Sequence, residues 1–108
     1  MNKEQLKGHS ELIILGALAV RPMHGYALSQ YLKDELADQF KFGVGMLYPI
    51  LHRLEQKKLI TGEWKQVLGA DRKVYSLTRQ GRKAYQEKKQ EWLTFSSLVK
   101  NVIHPVVV

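Results

Sequence analysis

The spacing of apolar residues divides the chain into two regimes. Residues 6–20 are rich in Leu, Ile and Ala, and apolar positions 12, 13, 15, 18 and 19 form a broad stripe at helical spacing. Pro22 ends this helix, because the residue before a proline, here Arg21, is pushed out of the helical region. His24 and Gly25 open a second helix. Along it Tyr26, Leu28, Tyr31, Leu32 and Leu36 recur three and four apart, while Lys33, Asp34 and Glu35 take the wet side. Residues 40–43 read as a connector. A third helix over 44–58 follows, with Leu47, Ile50, Leu51 and Leu54 towards the core and Gly43 as its N-cap. Pro49 within it leaves the carbonyl near Gly45 without a donor and predicts a slight bend.

After Leu59 and Ile60 the period shortens to two. Residues 62–67 and 74–77 alternate as strands, and 68–72 form a link between them, which makes a hairpin with a basic tip. Thr78 then caps a long fourth helix that reaches residue 103, closed by Pro105. Three helices, a hairpin and one more helix is the order of a winged helix-turn-helix with an added C-terminal helix. The expected fold is mainly α with a small β-hairpin: a winged helix-turn-helix DNA-binding domain over 1–77 and a C-terminal dimerisation helix and tail over 78–108.

Composition narrows the function. The 108 residues are 44% hydrophobic and 25% charged, the size and make-up of a single globular domain. No run of about 18 apolar residues is present to span a bilayer. The longest apolar stretch, 12–20, lacks the basic flank and small-residue cleavage site of a secretion signal. The absence of cysteine excludes disulfides and cysteine–zinc sites and fits a reducing cytoplasm, so a cytoplasmic protein with no membrane partner is expected.

The formal net charge of +7 favours polyanionic partners. Between residues 72 and 89, Arg72, Lys73, Arg79, Arg82, Lys83, Lys88 and Lys89 stand against one acid, Glu87. Such a stretch is either a solvated face or a nucleic-acid surface, where neutralised phosphates release counterions and so supply affinity. The four histidines, His9, His24, His52 and His104, lie on separate elements without zinc-ligand spacing, and neither a nucleophile elbow nor a phosphate loop is visible. His24 reads as a helix cap. No enzyme, cofactor or metal is expected.

At the third helix the residues become specific. The run from Gly45 to Glu55, with Leu47-Tyr48-Pro49 ahead of Leu51-His52-Arg53-Leu54-Glu55, resembles the signature of the PadR family of transcriptional regulators. His24-Gly25-Tyr26 is similar to that family's entry to helix two. Arg72-Lys73-Val74-Tyr75-Ser76-Leu77-Thr78, followed by Gly81, resembles its wing strand and entry to the last helix. The likeness extends over residues 6–103. Three positions depart from it: Met46 stands where threonine is frequent, Gly43 replaces a polar N-cap, and Lys58 replaces the glycine common after helix three.

The resemblance implies a repressor acting as a homodimer on a palindromic promoter site in double-stranded DNA. It places the start of helix three in the major groove and the wing on the backbone or minor groove. The DNA-contact candidates are Lys41, Met46, Tyr48, Pro49, His52, Arg53, Arg72 and Lys73. Lys41, Arg72 and Lys73 would hold phosphates, and His52 or Met46 would touch base edges or a thymine methyl. Tyr48 has the alternative of packing helix three on helix two, and Arg53 that of an ion pair.

Tyr85, Lys88, Trp92, Phe95, Val99 and Val102 make a heptad seam broken only by Lys88, and the dimer-interface candidates are its apolar members Tyr85, Trp92, Phe95, Val99 and Val102. Packing wholly on helix one of the same chain is the alternative for this seam. In some relatives a tryptophan here lines a dimer-interface cavity for flat aromatic effectors. Glu11, Leu12, Trp92 and Phe95 would line it in this chain, with Glu11 suiting a cationic aromatic; otherwise Trp92 fills its own space in the seam. Two rivals remain: a winged-helix protein-interaction module that does not bind DNA, and a small-molecule binding protein or enzyme.

Overall fold

The computed structural model describes residues 3–37 and 43–104, with the side chains of residues 3–7 and 44 left aside. The elements run α1 (Lys3–Val20), β1 (Met23–His24), α2 (Gly25–Glu35), α3 (Val44–Gln56), β2 (Ile60–Val67), β3 (Ala70–Leu77) and α4 (Arg79–Ile103). All the expected helices are present. Lys41, most of the expected connector, and Pro105 lie outside the described residues.

One core holds the first three helices and the sheet together. Ile14, Leu15 and Leu18 of α1 meet Leu28 and Leu32 of α2 and the row Leu47, Ile50, Leu51 and Leu54 of α3, with Met23, Ile60 and Tyr75 closing it from the sheet. The α3 row is buried as its spacing predicts. On α1 the buried stripe is rotated from the expected one: Ile14, Leu15, Ala17 and Leu18 are buried, while Leu12, Ile13 and Ala19 are only partly covered. Tyr26, expected with the apolar side of α2, is exposed.

The sheet differs from a plain hairpin. It has three antiparallel strands in the order β1-β3-β2, with Met23 opposite Tyr75 and His24 opposite Val74. Two residues carry no periodicity, so β1 leaves no pattern to read. The wing is also longer and its turn tighter than expected. The link is Leu68-Gly69 and not 68–72, with Val67 paired to Ala70 and Lys65 to Arg72. Leu68 and Gly69 have φ of 52° and 81°, the left-handed pair that a two-residue hairpin turn needs to match strand twist. The tip is therefore apolar, not basic: Leu68 is 98% exposed, and Arg72 sits back along β3.

Local caps explain the ends of α3 and α4. Lys58 takes φ of 62°; its N–H donates to Glu55 and that of Leu59 to Leu54, both at 2.9 Å, the paired bonds of a Schellman cap. The missing glycine thus falls where glycine costs least. Thr78 accepts from the Gly81 N–H at 2.9 Å, as expected of the cap, and its hydroxyl donates to the Lys58 carbonyl at 2.7 Å. A Cβ on Gly81 would collide with the Leu59 carbonyl oxygen, which is why that position holds glycine.

Candidate functional site

The start of α3 and the sheet make one continuous surface. Gly43 caps α3 through its backbone alone, and the helix continues unbroken through Pro49. With Leu47, Ile50, Leu51 and Leu54 turned inward, Tyr48, Pro49 and His52 fall on the open side and Met46 is half-buried against the core. Tyr48 packs α3 against α2 and keeps part of its ring open. Its ring is partly exposed, and its hydroxyl lies so close to Gly25 that any larger residue there would displace it. The glycine of His24-Gly25-Tyr26 is thereby tied to the tyrosine of Leu47-Tyr48-Pro49.

His24 is the N-cap of α2: its Nδ1 accepts the Ala27 N–H at 3.2 Å. Burial and the nearby Arg72 guanidinium push the His24 imidazole below its usual value. His24, Gly25, Tyr26, Tyr48, His52, Trp64, Asp71, Arg72, Lys73 and Tyr75 together line a cleft of about 380 Å³ between the wing and the helix pair.

The two wing cations stand in different surroundings. Lys73 Nζ is 2.9 Å from Glu55 Oε1 of α3 and 5.4 Å from the Tyr75 ring centroid. The hydrogen bond to Glu55 raises the Lys73 ammonium above its ordinary value against the opposing effect of burial. Arg72 Nε is buried and has no hydrogen-bond partner among the described residues. The nearest carboxylate in sequence, Asp71, accepts a hydrogen bond from Gln66.

Arg53 lies elsewhere. It lines a second cavity of about 390 Å³ with Ser10, Glu11, Leu12, Lys88, Trp92 and Phe95, on the side of α3 facing α1 and α4. The expected effector residues Glu11, Leu12, Trp92 and Phe95 do converge there. The Glu11 carboxylate, however, is engaged by Lys57 at 2.8 Å and by Lys88 at 3.7 Å. Burial would raise its pKa, but Lys57, Lys88 and Arg53 outweigh this and hold it below the ordinary carboxylate value. Its charge is balanced from within the chain, which removes much of the attraction for a cationic ligand.

The seam on α4 changes character along its length. Tyr85 packs over Gly16 and Trp92 meets His9 edge-on at 6.5 Å, so this part rests on α1 of the same chain. Beyond it Phe95, Leu98 and Val102 are 64%, 60% and 77% exposed.

Sequence reasoning passed over several of these residues. Trp64 carries no motif, yet it is 72% exposed and walls the wing cleft. Glu55 and Lys57 emerge only through cross-element pairs, 18 and 46 residues apart in the chain. Leu98 and Ile103 fall outside the strict heptad, although both are exposed on α4.

Among the described residues no helix is long and apolar enough to cross a membrane, and no group of three or more His, Cys, Asp or Glu could hold a metal ion. Transcriptional regulator Rv3488 of Mycobacterium tuberculosis is 38% identical over 79 residues, 73% of this chain and 71% of its own. A PadR-like transcriptional regulator of Bacillus cereus is 33% identical and superposes with a TM-score of 0.86, covering 96% of this chain and all of that one. A Streptococcus transcriptional regulator is 30% identical with a TM-score of 0.83, over 95% of this chain and all of its own. These relatives are regulators of transcription, not enzymes. Residues 14–87 match the transcriptional regulator PadR-like family, and with this winged fold and these relatives the chain belongs to that family.

Proposed function

We propose that this regulator is a cytoplasmic homodimeric repressor that binds a palindromic promoter site and is released by a small aromatic effector. Residues 1–77 would form the DNA-binding unit and 78–108 the dimerisation helix and tail. The observation that carries the dimer is the bare apolar row Phe95, Leu98 and Val102 on the 25-residue α4, since exposed apolar residues three and four apart on one helix face call for a second surface to cover them. Two-fold pairing along α4 would set two copies of α3 about one duplex turn apart. Met46, Tyr48, Pro49 and His52 are the residues of α3 proposed to meet the major groove, with Lys41 and the wing alongside.

Release follows from the cavity between α1 and α4, where Trp92 and Phe95 offer flat apolar walls. A planar guest there would act by favouring one arrangement of the two α4 helices over another. Because Glu11 is already paired, the charge of that guest is set by the cavity as a whole.

Selection of bound fragments from the source genome, with sedimentation of the protein alone, tests this reading. The expected results are an enriched inverted repeat and a dimer at micromolar concentration. Enriched fragments without a repeat, or a monomer, would overturn the symmetric arrangement. A protein that ignores duplex DNA at low salt would be an interaction module instead.

A further inference from the structure

The last turn of α3 is held differently from the rest of the helix. The inward row ends at Leu54, and no residue from Glu55 to Lys58 is buried. Apolar packing therefore fixes the front of α3 but stops short of its end. Ion pairs take over there, one on each side. Towards the wing, Glu55 meets Lys73 at 2.9 Å. Towards α1, the C-cap residue Lys57 sets its ammonium 2.8 Å and 3.3 Å from the two carboxylate oxygens of Glu11.

The Glu11 carboxylate also reaches α4, with Lys88 Nζ 3.7 Å from one of its oxygens. One half-buried acid on α1 thus joins the end of α3 to the long helix. Glu91 lines the same cavity but makes no ion pair among the described residues. The backbone makes a separate joint between the same two helices. The Thr78 hydroxyl donates to the Lys58 carbonyl at 2.7 Å, and the Thr78 N–H donates to the Leu59 carbonyl at 3.0 Å. That joint alone would let α4 swivel. Lys88 lies ten residues beyond Thr78, about 15 Å along the helix axis, so a tie at that distance acts as a strut against the swivel.

We propose that Glu11 is a positioning residue for duplex binding: by joining Lys57 to Lys88 it sets the angle between α3 and α4, and with it the separation at which two copies present α3 to the two halves of an operator. This rests on the dimeric DNA-binding reading above. Glu11 touches no DNA itself, because it lies in the cavity facing α1 and α4 and not in the cleft beside the wing. Both lysines are more than a third exposed, so their pairs add little to folding stability. Their effect falls on orientation, where an exposed pair shifts an equilibrium by up to about fivefold.

The test measures affinity against half-site spacing. It uses the full chain and the inverted repeat recovered by fragment selection, with one base pair added or removed at its centre and a single half-site as reference. The wild type should favour one spacing. Glu11→Gln should reduce that preference by roughly threefold to tenfold, while single half-site affinity stays within about twofold and the thermal midpoint and salt slope hold. Lys57→Met should do the same, and the double variant no more than either, since all break one contact.

A spacing preference that survives Glu11→Gln overturns the positioning role and leaves the dimeric reading standing. So does a wild type that binds the repeat at every spacing alike, or an equal loss on the single half-site. If Lys57→Met flattens the salt slope by about one, Lys57 is a phosphate contact and the strut fails. If selection recovers no repeat, the dimeric reading fails and amide hydrogen exchange judges the strut by itself. The amides of residues 57–59 should then exchange severalfold faster in Glu11→Gln, with those of 50–54 unchanged. Equal exchange in the two proteins overturns it.

Discussion

Three residues carry more of the fold than their size suggests. Gly81 sits where the first turn of α4 crosses the strand entry, with the Leu59 carbonyl oxygen in the place a Cβ would occupy. Because the obstacle is backbone, little can yield, and Gly81→Ala should destabilise the protein by about 2–3 kcal/mol in urea denaturation. Lys58 presents the opposite case, a side chain held at φ of 62°. Lys58→Gly should stabilise by about 0.5–1 kcal/mol, the strain of a left-handed lysine less the extra freedom glycine gains when unfolded.

His24 links stability to pH. Burial and Arg72 lower its folded-state pKa beneath 6.5, so the unfolded chain binds its proton more readily. The stability this histidine contributes is complete above pH 6.5 and is lost as pH falls through the lower folded value. Between pH 7 and 5, His24→Asn should therefore lose less stability than the wild type, as read by thermal melts. Equal losses in the two proteins would remove His24 as the source.

At the scale of elements, legibility followed the length of the pattern. The row Leu47, Ile50, Leu51 and Leu54 repeats over two turns and was readable, as were the Thr78 cap and the bounds of α4. The wing turn was not, because Leu68-Gly69 lacks the Asn-Gly or Asp-Gly chemistry that announces such turns. A link over 68–72 puts Arg72 at the tip, whereas the turn is Leu68-Gly69, beyond two further strand pairs.

The same residue yields a prediction. Leu68→Asn relieves a left-handed leucine and should raise amide protection along β2 and β3 by about 0.5–1 kcal/mol without altering α1. The candidate site was legible residue by residue but not as an arrangement. Lys73 and Arg72 look alike in a string of letters, and only the approach of Glu55 from α3 tells them apart.

The whole molecule is elongated, 61 × 29 × 21 Å, with a radius of gyration of 15.8 Å against about 13 Å for a compact chain of this length. The excess comes from α4, whose 25 residues span about 37 Å and outrun the body they start from. An apolar row carried clear of the core gives nothing to the stability of one copy. Phe95→Glu with Leu98→Glu should therefore shift sedimentation to that of a monomer and lower the thermal midpoint only by what the second copy supplies, so that the midpoint no longer depends on protein concentration. Duplex affinity should fall with it, because each half-site would then be bound alone. A double variant that still sediments as a dimer would place the contact on another surface.

The chain has two tryptophans, and they stand apart in the fold. Trp64 walls the cleft beside α3, and Trp92 lies against His9 on the long helix. Their emission therefore reports on separate events in a single cuvette. With Trp92→Phe the remaining indole should respond to added duplex and stay silent to planar aromatics. With Trp64→Phe the pattern should invert, which separates optically the proposed duplex-binding face from the proposed α1–α4 effector cavity.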